Sequence, residues 1–224
     1  MCGRASLALD EDELTAYLQS VGVPAAPTRR RPRYNIPPQD DLLLFTELGD
    51  HRRESRMMRW GLVPFWAKDP SIGRKLSIAR AETVATMPAF RSAFKKRRGL
   101  IVIDGFFEWH RDPDGSKTPM RIARPDNAPF TLAGLWETWG EGDKRLITCA
   151  IITTTPNDLM APIHDRMPVI LTGAAQDAWL DPTAKVGSLQ DLLIPDPSDT
   201  LHAYEVSPLV NRSSNDGPEC WFPV

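Results

Sequence analysis

The sequence predicts an α+β fold in which an antiparallel sheet curls and helices pack outside it. Its 224 residues suit one large domain, residues 1–224. Most of the apolar residues fall in short β-branched and aromatic runs bounded by Pro, Gly and Asp, which is typical of strands. Tight turns join consecutive runs, and this favours antiparallel pairing.

One helix is expected in DEDELTAYLQSVG, residues 10–22. Asp10 is a candidate N-cap, Glu13 completes a capping box, and Gly22 is a candidate C-terminal stop. The apolar face of this helix would comprise Leu14, Tyr17, Leu18 and Val21.

Three further helices are expected. One lies within residues 81–99 and ends near Gly99, with cations in its last turn. Two short helices occupy residues 174–182 and 186–194.

Eight segments have the composition and length of strands. HRDPDGSKT, residues 110–118, has the Asp-Pro-Asp-Gly chemistry of a hairpin connection. The strand segments are residues 41–48, 57–63, 99–110, 119–125, 129–139, 145–154, 167–172 and 202–207.

Bulk properties exclude several classes. No apolar run approaches the ~20 residues of a membrane span, and the first residues lack a signal-peptide pattern, so a cytoplasmic protein is expected. Three cysteines imply no disulfide framework or zinc site; Cys149, in an apolar run, is expected in the core. The net charge is −2, but basic clusters at residues 28–34 and 90–99 suggest a one-sided positive surface.

The chain begins MCGR. If Met1 is removed, Cys2 carries a free α-amine and a thiol on adjacent carbons, an arrangement unique to an N-terminal cysteine. The alternative interpretation is that position two only requires a small residue.

Two ionisable residues are candidates for acid–base chemistry. Glu108 stands among aromatic residues in IDGFFEWH. Either its carboxyl is desolvated, with a raised pKa, or it faces solvent. His164, between two prolines, is either an acid/base group or a structural histidine bonded to its own loop. No second histidine has metal-ligand spacing, so no metal and no cofactor are expected.

Aromatic and polar residues in proline-defined loops are candidates for nucleic-acid contacts. Trp66 could stack on a base, whereas Trp60 is expected in the core. Asn35 lies in a similar loop. Arg80 and Glu82 would share one face if their segment is extended.

Seven segments occur in the order expected of one family, and together they cover essentially the whole chain. The sequence resembles the SRAP family, also called the SOS-response-associated peptidase or abasic-site processing family. The segments are MCGR, RYNIPP, WGLVPFWAKD, ARAET, DGFFEW, IHDRMPVIL and VSPLVNRSSNDGPEC.

The resemblance implies a compact α+β domain with a β-barrel-like core that captures abasic sites in single-stranded DNA. It implies that Cys2 forms the crosslink and that Glu108 and His164 are the acid/base groups. Replication-fork proteins are a further candidate class of partner, no membrane partner is expected, and a monomer is the default. The residues placed at DNA contacts are Arg4, Asn35, Pro38, Trp66, Arg80, Trp109 and Arg166.

The chemistry that the resemblance implies uses both nucleophiles of Cys2. The α-amine condenses with the sugar aldehyde to an imine, and the thiol closes a thiazolidine ring that protects the strand. Glu108 would shuttle protons, and His164 would assist opening of the sugar ring. The self-processing implied by the word peptidase would here remove only Met1.

One departure from the family pattern is Ile78, where the family usually has an active-site Asn. Ile78 offers no hydrogen bond, so either slower activity or a substitute residue for the Asn is expected. Two other functions remain open. The first is an N-terminal-nucleophile amide hydrolase, in which the Cys2 thiol attacks an amide. The second is a non-covalent single-stranded DNA-binding module.

Overall fold

A computed structural model describes residues 3–24, 31–49, 52–197 and 199–224. Four α-helices are α1 Glu11–Ser20, α2 Arg91–Lys96, α3 Ala174–Leu180 and α4 Val186–Asp191. The strands are β1 Ala5–Leu7, β2 Arg33–Ile36, β3 Asp41–Glu47, β4 Arg53–Trp60, β5 Ile78–Arg80, β6 Arg98–Ile103, β7 Gly105–Arg111, β8 Lys117–Ala123, β9 Phe130–Trp139, β10 Leu146–Thr154, β11 Met167–Pro168, β12 Ile170–Leu171 and β13 His202–Glu205.

Five strands close into a barrel, because β10, β4, β3, β6 and β9 are joined in that order and β9 pairs again with β10. The pairing of β4 with β10 is parallel, and the other four pairings are antiparallel. Gly99 and Gly134 face each other across β6 and β9. A Cβ at either would lie within 3.0 Å of the Leu44 or Ile101 side chain, so the narrow core requires glycine there.

A second sheet lies beside the barrel, in the order β13-β8-β7-β1-β2. All of its pairings are antiparallel. The three-residue strand β1 is an interior strand, with β7 on one side and β2 on the other. The N-terminal segment is therefore built into the sheet.

A buried carboxylate holds β1 in place. Asp104, between β6 and β7, is 1% exposed. Its Oδ1 accepts from Ser6 Oγ at 2.6 Å and its Oδ2 from the backbone N–H of Ala8 at 2.5 Å. The fully buried Arg121 guanidinium lies 3.6 Å from Oδ1. These donors offset the desolvation of the carboxylate.

The α+β class and the barrel-like core are confirmed, as are several local predictions. Asp10 caps α1 in a capping box with Glu13, and Gly22, with φ of +77°, follows the helix end. The two short C-terminal helices form as predicted. Trp60 and Cys149 are fully buried in the core.

Four predictions needed correction. Within residues 81–99 the helix is confined to Arg91–Lys96, because Pro88 interrupts the segment and Gly99 already belongs to a strand. The predicted strand 57–63 is instead Arg53–Trp60, and it ends before Gly61, where φ is +137°. The predicted run 99–110 is two strands separated by Asp104. The predicted run 167–172 is also two strands, which pair with β10 and β9 respectively.

The described helices are all far shorter than the length needed to cross a bilayer, and none of them is a candidate membrane span.

Replacing Asp104 with Asn is expected to lower the free energy of unfolding by about 3 kcal/mol, because it leaves the Arg121 charge buried without its carboxylate. Urea unfolding at pH 7 measures the change. Asp143→Asn, in an exposed turn, is the matched control and should stay within about 0.5 kcal/mol of wild type. Equal midpoints for both variants would contradict the role assigned to Asp104.

Candidate active site

Glu108 lies in the middle of β7, opposite Met120 of β8. The residue is 2% exposed, so it is a buried carboxyl and not a surface glutamate. Burial raises its pKa to about 7. A carboxyl with this pKa can both donate and accept a proton near neutral pH.

His164 lies on the loop that follows β10, and its ring is partly exposed. Nδ1 accepts from the backbone N–H of Arg166 at 3.0 Å, while Asp165 Oδ1 lies 2.8 Å from the same nitrogen. The two contacts require opposite protonation states of Nδ1. The Asp165 carboxyl is 87% exposed and can turn into solvent, whereas the backbone N–H is fixed.

The backbone contact therefore determines which nitrogen of the His164 ring is protonated. Nδ1 keeps its lone pair and Nε2 carries the proton. Burial also lowers the pKa of His164 below its ordinary value, which favours the neutral ring at pH 7.

Glu108 and His164 line the same cavity of about 310 Å³. This is within the usual size range of small-ligand pockets. A hydrogen bond ties its two walls together. His110, two residues beyond Glu108 on β7, donates from Nδ1 to the Pro162 carbonyl at 2.8 Å. The strand that carries Glu108 is thus fastened to the loop that carries His164.

The N-terminal segment runs beside this cavity. The backbone N–H of Phe107 donates to the Arg4 carbonyl at 3.0 Å, so Arg4 lies next to the strand segment that carries Glu108. Cys2 lies outside the described residues.

Arg4 is held by a network that also orients Trp109. Its Nη1 donates to Asn35 Oδ1 at 2.6 Å and to the Val210 carbonyl at 2.7 Å. Its guanidinium lies 5.6 Å from the centre of the Trp109 ring. The indole Nε1 of Trp109 donates to Asn211 Oδ1 at 2.6 Å.

Asn35, a predicted DNA contact, is fully buried. Its Nδ2 lies within hydrogen-bond distance of the carbonyls of Val210, Arg212 and Asn215 at 3.1, 3.1 and 2.7 Å. The amide therefore fastens the C-terminal loop 207–217 over the N-terminal segment. Any effect of Asn35 on DNA would act through Arg4 and this loop.

Arg166 is engaged within the protein. It forms a bidentate pair with Glu82, at 2.7 and 3.0 Å, and Nη2 also donates to the Thr153 carbonyl at 2.6 Å. The Arg166 guanidinium holds the pKa of Glu82 below its usual range. Arg80 is exposed and lies opposite Thr153 in the β5–β10 pairing. The extended segment ends at Arg80, and Glu82 belongs to the following turn.

The other predicted contacts do not line the Glu108–His164 cavity. Ile78 and Arg80 line a second cavity of about 400 Å³. Trp66, which is 50% exposed, lines a third of about 330 Å³. Lys75 borders both cavities. Pro38 occupies a turn whose next residue, Gln39, has φ of +79°.

The basic clusters contribute fewer free cations than their sequence suggests. Arg33 binds Asp216 and Asp40, and Arg31 binds Asp216 at 3.1 Å. Arg98 is 6% exposed and donates to main-chain carbonyls, among them that of Trp179 at 2.7 Å. The exposed described members of the second cluster are Arg91, Lys95 and Lys96.

Sequence reasoning missed two positioning residues. His110 follows Glu108 at the alternate position of a strand, a spacing that predicts a shared face. Asp216 accepts from the backbone N–H groups of Tyr34 and Asn35 at 2.8 and 2.9 Å. Asp216 lies 182 residues from Tyr34 in the sequence, and no local pattern signals that pairing. Across the described ranges, no cluster of His, Cys, Asp and Glu could hold a metal ion.

The fold and the cavity define a class of protein in which the N-terminal segment pairs with a strand that carries a buried carboxyl group. The chain belongs to the SOS response associated peptidase (SRAP) family, whose model matches residues 1–213.

Relatives support this assignment over the full length. The chain is 42% identical over 222 residues to the abasic site processing protein YoqW of Bacillus subtilis, covering 98% of each. It is 32% identical over 264 residues to the abasic site processing protein HMCES of Gallus gallus, covering 100% of this chain and 78% of that protein. A crystal structure of a Bacteroides thetaiotaomicron protein matches with a TM-score of 0.88 at 25% identity, covering 100% of both chains.

The raised pKa of Glu108 makes a prediction about stability. The group binds a proton more tightly in the folded protein than in the unfolded chain, so the free energy of unfolding should fall as pH rises from about 4.5 to about 7. A shift of this size corresponds to about 3 kcal/mol. Urea unfolding across this range should show a decrease in wild type that Glu108→Gln largely abolishes.

The exposed Glu205→Gln variant is the control and should keep the wild-type pH dependence. If Glu108→Gln and wild type lost stability in parallel, the buried carboxyl would not be the cause.

Proposed function

We propose that the protein captures abasic sites in single-stranded DNA through a covalent link to Cys2, after removal of Met1. The observation that carries the proposal is the shared cavity of Glu108 and His164 beside the N-terminal segment. The names of its relatives as abasic site processing proteins support the same substrate. The proposed product is a thiazolidine that shields the strand during the response to DNA damage.

The reaction begins when the ring of the abasic sugar opens to an aldehyde. Neutral His164, with its proton on Nε2, assists this ring opening. The Cys2 α-amine adds to the aldehyde carbon, and the resulting hydroxyl leaves as water once it is protonated. Glu108, with a pKa of about 7, donates that proton. Departure of the water leaves an iminium group at the former aldehyde carbon.

The Cys2 thiol then adds to the same carbon. The sulfur–carbon bond forms, the thiol proton passes to the Glu108 carboxylate left by the preceding step, and the iminium nitrogen becomes an amine within a five-membered ring. Because both nucleophiles belong to one residue, the second attack is intramolecular and has a high effective concentration. The ring removes the imine, which would otherwise promote elimination and strand cleavage.

The DNA contacts are proposed at the residues that the family pattern indicates. Trp66 and Trp109 present exposed or partly exposed rings for stacking on bases, and Arg80 presents an exposed guanidinium for a phosphate. Arg4 and Asn35 act together by positioning the N-terminal segment. Pro38 and Arg166 are proposed at the edges of the same surface.

Incubation with a single-stranded oligonucleotide that carries one abasic site should give a covalent adduct without reductant, measured as intact-protein mass. Cys2→Ala should abolish the adduct, because both the thiol and ring closure are lost. Cys220→Ala, which removes a buried thiol elsewhere, should leave the yield unchanged. An undamaged oligonucleotide should give no adduct with any variant.

The outcomes separate the alternative functions. An amide hydrolase would release product from amide substrates and form no stable adduct with the abasic oligonucleotide. A non-covalent binding module would hold undamaged single strands equally well, and Cys2→Ala would not affect it. Either result would overturn the proposed capture.

The rate of adduct formation should depend on pH in a bell-shaped manner. The α-amine, with an ordinary pKa of about 7.7–8.0, must be neutral, and Glu108 must be protonated to act as the acid. The maximum is therefore expected between about pH 7 and 8. Glu108→Gln should slow adduct formation by roughly 100-fold and remove the decrease on the alkaline side. A variant that kept the alkaline decrease would assign it to another group.

A further inference from the structure

The end of the β7–β8 hairpin carries two cations directly opposite each other. Arg111 of β7 pairs with Lys117 of β8, and both side chains are exposed. Like charges at directly opposed positions destabilise a hairpin. Throughout the part of the chain that the structure describes, neither residue forms an ion pair with a carboxylate. We refer to Arg111 and Lys117 as the hairpin cation pair.

Carboxylates are available in the adjoining turn, but they bind other groups. Asp112 Oδ2 accepts from Thr118 Oγ1 at 2.7 Å and from Ser116 Oγ at 3.1 Å. Asp114 Oδ1 accepts from the Ser116 hydroxyl and backbone N–H at 2.6 and 2.9 Å. These bonds hold the turn, and neither carboxylate forms an ion pair with the hairpin cation pair in the described structure.

The position of the pair distinguishes it from an ordinary solvated cation. Arg111 and Lys117 line the same 310 Å³ cavity as Glu108 and His164. Neither of these two groups forms an ion pair with the cations among the described residues. The cavity therefore combines two ionisable groups at its wall with two cations that have no ion-pair partner in the described structure.

We propose that Arg111 and Lys117 form a binding site for the backbone phosphodiester adjacent to the sugar in the Glu108–His164 cavity. The inference rests on the proposed function, because it requires a nucleotide sugar in that cavity. A sugar in a DNA strand is flanked by phosphodiesters, and these are the anionic groups of the strand. A guanidinium can bind two phosphate oxygens in a bidentate manner, while an ammonium acts as a point charge.

The site explains why the hairpin tolerates its like charges. Binding of one phosphate between the two cations replaces their repulsion with two attractions. It also fixes the sugar from one side, so that the aldehyde carbon faces Glu108. The hairpin cation pair would thus act in positioning and affinity, while the chemical step stays with Glu108 and the N-terminal residue.

Equilibrium binding to a single-stranded oligonucleotide with a tetrahydrofuran abasic analogue tests the site, because this analogue has no aldehyde and forms no covalent product. Arg111→Gln and Lys117→Gln should each weaken binding by roughly three- to tenfold. Each should also reduce the slope of log K against log salt by about 0.7. Lys185→Gln, an exposed cation beside α4, is the matched control and should leave both quantities unchanged.

Replacement of single phosphates identifies the ligand. In separate oligonucleotides, the phosphate on the 5′ or the 3′ side of the analogue is changed to an uncharged methylphosphonate. One of these changes should weaken wild-type binding by the same factor as the variants. It should cause no further loss in Arg111→Gln or Lys117→Gln, because the contact has already been removed.

Strictly additive losses with both methylphosphonates would overturn the site, since the cations would then act only through the overall field. Unchanged binding by both variants would also overturn it, provided that their unfolding midpoints match wild type. If wild type did not bind the oligonucleotide at all, both this site and the proposed function would fall. Normal adduct formation together with additive losses would overturn only the phosphate site.

Discussion

The arrangement of the candidate site depends on the interior position of the three-residue strand β1. A strand this short has little stability of its own. It is held because β7 and β2 pair with it on both sides and because Asp104 binds Ser6 and the backbone of Ala8. The same pairing sets Arg4 beside Phe107 and brings the N-terminal segment to Glu108. Loss of these contacts would release the N-terminal segment from the strand that carries Glu108.

Asp104 and Glu108, two buried carboxyl groups four residues apart, have opposite environments: the first is surrounded by donors, and the second is desolvated. Asp104 receives a hydroxyl and a backbone donor and faces the Arg121 guanidinium. Such donors stabilise the ionised form. Glu108 is desolvated to a pKa of about 7. The first group therefore serves the fold, while the second retains its proton to a higher pH than an ordinary carboxyl, at a cost to stability.

The sequence predicted those parts of the fold whose causes are local. The Asp10 capping box, the hairpin turn at residues 110–118 and the long apolar strands follow from residue types at fixed spacing. The strands β1, β2 and β5 were missed because each has only three or four residues. They exist through pairing with distant partners and not through their own propensity.

Prediction of the site followed the same division. The aromatic residues around Glu108 left two alternatives open, a desolvated or a solvent-facing carboxyl, and the structure decides for the first because Glu108 is 2% exposed. The role of Asn35 could not be predicted in this way. Its amide binds carbonyls of a loop about 175 residues further along the chain. Likewise, the sequence suggested that Arg33 and Arg98 are surface charges. In the structure they bind groups that are distant in sequence, Asp216 and the Trp179 carbonyl.

Arginines that already bind groups within the protein are less available to bind a DNA backbone. Arg166 would have to leave its bidentate pair with Glu82 to bind a phosphate, and part of the energy gained would be lost in breaking that pair. Cations without an internal partner bind a phosphate without this cost. Among the described residues beside the three cavities, Lys68, Lys75 and Arg80 meet this condition at the second and third cavities. The hairpin cation pair meets it at the Glu108–His164 cavity itself, so a phosphate next to a sugar bound there could be held without breaking an ion pair.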